Sequence, residues 1–178
     1  VDEVKEVECY AKRLTGSDSY QLAPWDFSYY SNKLKEYKFN VNSELLRPYF
    51  ELSRVLNAVF NLSTRLYGIS FVRNRDLPVY HEDVEAYEVY DEDGTFLALL
   101  YCDFYSRPSK KPGAWMTMFK EQWMDDEMCD SRPHVSIVMN FAKPTSEIPS
   151  LLSLEEVETL LHEFGHSLHA MFSKVKYR

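Results

Sequence analysis

The run from Leu160 to His169 holds His162, Glu163 and His166 in the spacing H-E-x-x-H, the pattern in this chain that says most about chemistry. On an α-helix, residues four apart share a face with about 6 Å of rise between them, so both imidazoles can reach one small cation. Glu163 stands about 100° round from His162, too far to share the ion comfortably but well placed to hold a water beside it. Two imidazoles and a carboxylate that can take a proton from a polarised water are the parts of a zinc hydrolase. The bland reading of the same residues is a solvated histidine pair on an exposed helix face.

This chemistry needs a helix, and the flanking residues predict one over 154 to about 172. Ser153 followed by Glu156 is a capping-box pattern, and Pro149 lies just ahead of it. Glu155, Glu156 and Glu158 cluster where the helix dipole favours negative charge. Leu154, Val157, Leu160, Leu161, Phe164, Leu168 and Phe172 recur at helical spacing and predict a buried stripe. Gly165 inside the helix costs about 1 kcal/mol against Ala, so close approach of another backbone or a substrate is expected there.

A catalytic zinc takes three protein ligands and leaves one position for water. His169 lies about 10 Å along the axis from His162, too far for one ion at about 2 Å from each nitrogen. It reads instead as a histidine that supports the site through hydrogen bonds or packing. A metzincin would have Gly at 169 and His at 172, where this chain has His169 and Phe172. No G-x-M-E-N motif precedes the helix, which disfavours an aminopeptidase. Glu158, four residues before His162, could orient that imidazole or be a plain surface glutamate. Asp103 and Glu121 are carboxylates that nothing in the sequence marks as ligands. A Glu on a following helix remains open.

Over 178 residues, 45% apolar and 15% aromatic content suffice for a packed core, and no low-complexity tract argues for disorder. The net charge of −8 offers no basic face for nucleic acid or an anionic membrane. No apolar run is long enough to span a bilayer. Cys9, Cys102 and Cys129 lack metal or disulfide spacing and fit free thiols in a reducing compartment.

Along the chain, residues 1–14 read as a helix closing at Gly16, and Pro24 with Asp26 opens a second helix to about Glu36. Ser43 is a weak cap interrupted by Pro48, and a longer helix from Leu52 to Leu66 stops at Gly68. Then come strand-like runs at Ile69–Val72, Val84–Tyr90, Phe96–Phe104 and His134–Asn140, with Asp91–Gly94 as a hairpin turn. Val84, Ala86, Tyr87 and Val89 mixed with Glu85 and Glu88 predict one wet face. The expected fold is α+β, mainly helical, with a small sheet preceding the H-E-x-x-H helix. Its regions are 1–68, mostly helical, 69–141, a small sheet, and 153–172, the metal-binding helix. His81 and His134 are isolated, and Trp115, Trp123, Met116, Met118, Met124 and Met128 read as packing. The stretch from Arg107 to Trp115 is a basic loop bounded by Pro and Gly: either a solvated connection or, since Gly113 and Ala114 lack bulk, a strand edge where a peptide can add.

The run from Leu160 to Ala170 closely resembles the signature of the thimet oligopeptidase family, which includes oligopeptidase A and peptidyl-dipeptidases. The stretches Pro24 to Leu34, Leu46 to Phe50, Pro78 to Val84, Tyr90 to Gly94, Leu99 to Arg107, Lys111 to Trp115, Asn140 with Phe141, and Glu155 to Leu160 resemble family segments in family order. The resemblance implies zinc-dependent cleavage of short peptides, internally or by removing C-terminal dipeptides. It makes His162 and His166 zinc ligands, Glu163 the general base, and sets Gly113 and Ala114 beside the cleft as substrate-binding positions. It also implies that the third ligand is a Glu on a helix beyond Arg178, and that residues 1–178 are part of the catalytic domain of a larger metallopeptidase. That parent is expected to be cytoplasmic and to act on short peptides, without nucleic-acid or membrane partners. The alternative is a folded piece with an incomplete metal site and no turnover, which docks to the rest of its parent or self-associates.

Overall fold

The computed structural model describes residues 2–40, 43–124, 127 and 129–177, apart from the side chain at 43. The expectations for a Ser43 side-chain cap and for Met128 as packing therefore lie outside what is described. The chain divides into two compact units, Val1–Leu45 and Leu46–Arg178.

In the first unit, helix α1 (Asp2–Thr15) and helix α2 (Phe27–Phe39) bury Val7, Ala11 and Leu34. Gly16, at φ 68°, ends α1 as expected, its left-handed conformation being the one glycine adopts without strain. Asp26 stands at the cap of α2 without capping it, and its carboxylate accepts from the Tyr20 hydroxyl at 2.8 Å instead. The helix runs past Glu36 to Phe39 and turns at Asn40, φ 52°.

The second unit is built on a mixed sheet of five strands in the order β1-β2-β3-β7-β4. These are β1 (Ser70–Arg73), β2 (Glu85–Tyr90), β3 (Phe96–Tyr105), β4 (Trp115–Lys120) and β7 (His134–Phe141). Between β4 and β7 lies a two-stranded hairpin, β5 (Trp123–Met124) and β6 (Asp130–Ser131). Strands β3 and β7 are parallel, and every other neighbour in the large sheet is antiparallel. The turn from Asp91 to Gly94 closes the β2–β3 hairpin, with Asp91 N–H donating to Thr95 O at 2.8 Å. Helix α3 (Leu52–Tyr67) ends at Gly68, φ 75°.

One face of the sheet carries the main core. Alternation along β3 turns Leu100, Cys102 and Phe104 toward Leu56 and Val59 of α3 and Leu160 and Phe164 of α4 (Leu154–Met171). The expected wet face is a correction: Val84, Ala86, Leu99 and Tyr101 form a second buried cluster with Leu77 packed on it. From the segment between β1 and β2, Leu77 packs on this cluster and the Tyr80 hydroxyl reaches Asp103. The chain is α+β as expected, but a mainly helical fold is not confirmed, since the five-stranded sheet supplies much of the core.

Candidate metal centre

Helix α4 is fixed at both ends. At its start, Ser153 Oγ accepts from Glu156 N–H at 3.2 Å and Ser153 N–H donates to Glu156 Oε2 at 2.7 Å, a complete capping box. At its end, the Arg132 guanidinium donates to Met171 O at 2.5 Å and Ser173 O at 3.2 Å, and reaches back to Leu97 O at 2.7 Å. A cation there complements the helix dipole and satisfies carbonyls left without intrahelical partners. Gln122, buried, brackets Val175 by accepting from its N–H at 2.7 Å and donating to its carbonyl. Nothing in the sequence around Arg132 or Gln122 signalled this clamp, because it joins residues about 40 or 50 positions apart.

Leu160, Phe164, Ser167 and Met171 face the sheet and are buried. Leu154 and Leu161 do not belong to that stripe: both are 44% exposed, on the outward face. His162 and His166 point outward with them, ring centroids 4.7 Å apart and planes at 83°. Their Nε2 atoms converge to 3.1 Å. Two nitrogens held at about 2.0–2.1 Å from one tetrahedral ion lie about 3.3–3.4 Å apart, so the pair fits the edge of a zinc site. The same distance serves a hydrogen bond between one protonated and one bare imidazole nitrogen.

Glu163 is half-buried at the flank of this face, one position on from His162. Glu158, one turn before His162 and exposed, makes no hydrogen bond with either histidine of the pair. His169 lies on the same outward side but lines a neighbouring groove with Met116 and Met118 of β4. Of the backbone or substrate expected close to Gly165, no backbone is there: a Cβ would meet nothing within 4 Å, and the position lines a groove with Tyr67 and His169.

Asp103 is no ligand: it is buried on the sheet face away from α4, bonded by Arg107, Lys110 and Tyr80. Glu121 lines the groove that holds His169. His81 accepts the Asp83 amide, and His134 opens β7, so neither joins the pair. Among the described residues no group of three His, Cys, Asp or Glu side chains converges as a metal site.

Gly113, at φ 96°, and Ala114 lead into β4, which pairs with β7 on one side and forms an edge of the sheet. Trp115 is half-buried, and Met116 packs against the main core as expected.

The structure thus presents a capped helix on a mixed sheet, with two histidines four positions apart turned outward. The chain matches the model of Peptidase family M3 over residues 1–178 and belongs to that family. It is 41% identical to dipeptidyl carboxypeptidase of Escherichia coli over 177 residues, 99% of this chain and 25% of that protein. It is 36% identical to oligopeptidase A of the same organism, over 98% of this chain and 25% of the relative. Saccharolysin of Saccharomyces cerevisiae is 31% identical over 85% of the chain and 22% of its own length. The chain thus spans about a quarter of the relatives it matches.

Proposed function

We propose that the chain is part of the catalytic domain of a zinc-dependent peptidase acting on short oligopeptides. Its regions 1–68 and 69–141 would form the scaffold, and 153–172 the metal-binding helix. The observation that carries this is the 3.1 Å convergence of His162 Nε2 and His166 Nε2 on an outward, capped helix face in an M3 family member. Those two nitrogens would hold the zinc. Bound there, the ion supplies a Lewis acid that lowers the pKa of water and polarises a carbonyl oxygen. Glu163 takes the proton of the attacking water and returns it to the leaving amine. Gly113 and Ala114, at the start of the β4 edge, hold the peptide extended through main-chain hydrogen bonds. A third ligand is expected from a Glu outside residues 1–178. Glu158 and His169 flank the pair and receive no ligand role. A cytoplasmic setting suits the described cysteines, which are all free thiols.

The test is cleavage of a quenched fluorescent peptide by the full-length protein. Glu163→Gln is expected to lower kcat at least about a hundredfold, the lower end of general-base contributions, with zinc retained. A Glu163→Gln protein that keeps most of its rate contradicts the assignment.

A second reading concerns the 178 residues on their own. No third ligand joins the histidines among the described residues, and on the same helix Leu154 and Leu161 are exposed. By itself the chain would then hold zinc weakly, turn over nothing, and dock to the rest of its parent or self-associate through that face.

A further inference from the structure

The loop between β3 and β4 is basic in sequence, yet two of its three cations, Arg107 and Lys110, are turned inward, while Lys111 stays exposed. Lys110, with a side chain only 3% exposed, directs Nζ at Asp103 O and Oδ1, each at 2.9 Å, and at Tyr105 O at 2.7 Å. That accounts for all three ammonium donors. Arg107 grips the Asp103 carboxylate with both nitrogens, at 2.7 and 2.8 Å, and the Tyr80 hydroxyl donates to it at 2.9 Å. A buried carboxylate so fully paired is a rigid anchor, since any loosening would leave uncompensated charge. From β7, Asn140 Nδ2 donates to Lys111 O at 2.8 Å and to Gly113 O at 2.7 Å. The loop is therefore gripped on both sides immediately before the free edge of β4 begins.

We propose that Asn140, backed by the Asp103–Lys110 anchor, is a positioning residue that holds Gly113 and Ala114 in register to accept the backbone of an extended peptide. The inference rests on the peptidase reading, with β4 as the receiving edge. Because this grip fixes main chain, its effect falls on peptide backbone whatever the side chains. Loss of the two Asn140 bonds is expected to weaken peptides of unrelated sequence by one common factor.

The experiment uses the full-length, zinc-loaded protein carrying Glu163→Gln, so that bound peptide is not turned over. The Kd of two peptides of unrelated sequence, and of one carrying a single backbone ester in place of an amide, is measured with and without Asn140→Ala. The expected result is a rise in Kd of about tenfold, equal for both peptides and smaller for the ester, with zinc content unchanged. Asn140→Asp, which sets a carboxylate against the two carbonyls, is expected to do worse than Ala. Should Asn140→Ala destabilise the protein, the comparison of ester with amide within that variant still decides. An unchanged Kd, a loss that depends on peptide sequence, or an equal loss for the ester overturns the inference while the peptidase reading stands. Absence of any peptide binding by the Glu163→Gln parent, with no cleavage by the unmodified protein, sinks the peptidase reading and this inference together.

Discussion

Asp103 shows how much one buried side chain can hold. Burial pushes its carboxyl up, but hydrogen bonds from Arg107, Lys110 and Tyr80 outweigh that and keep it below the ordinary value. The folded chain therefore binds fewer protons than the unfolded chain as pH falls past the carboxylate range. The stabilising contribution is complete above about pH 4 and is lost as pH drops through the depressed folded value. In acid titrations followed by circular dichroism, Asp103→Asn is expected to be less stable by about 3 kcal/mol at neutral pH, with a shallower acid limb than the unmodified protein. An acid limb of equal slope in both would contradict the role given to Asp103. Burial also drives the Tyr80 hydroxyl to a pKa of about 12, which keeps it a donor to Asp103 throughout.

Among elements, α4 was the most legible in sequence, because its cap, its charges and its apolar spacing are local. The capping box, the stops at Gly16 and Gly68, and the turn from Asp91 to Gly94 all formed where local chemistry set them. Apolar spacing alone could not say which leucines face the core: Leu154 and Leu161 on α4, and Leu62 and Leu66 on α3, stay exposed. The sheet order was hidden, since the parallel pairing of β3 with β7 and the placement of β4 beyond it are long-range contacts. So were the inward turn of Arg107 and Lys110, the Asn140 bonds and the Arg132 clamp. Of the candidate site, the convergence of His162 and His166 was legible from their spacing, whereas what surrounds them was not. Gly165→Ala tests the helix itself: with open space at that Cβ, the 178-residue chain is expected to gain about 0.5–1 kcal/mol in denaturant unfolding. A loss of stability would mean that the position is packed.

At the scale of the unit Leu46–Arg178, the sheet and α3 support one face of α4, while His162 and His166 on its other side are exposed. On the proposed reading the two histidines are ligands on a rigid support, and the third ligand would come from outside these residues. On the same reading a full-length protein would hold zinc more tightly than residues 1–178 alone, since a structural or catalytic zinc needs its full ligand set to be held tightly. The most direct measurement is zinc stoichiometry and affinity, by elemental analysis and chelator competition, on the full-length protein, its His162→Ala and His166→Ala variants, and residues 1–178. The expected result is one tightly held zinc in the full-length protein, lost on replacing either histidine and held weakly by the shorter chain. Tight zinc that survives both replacements would contradict the assignment of His162 and His166.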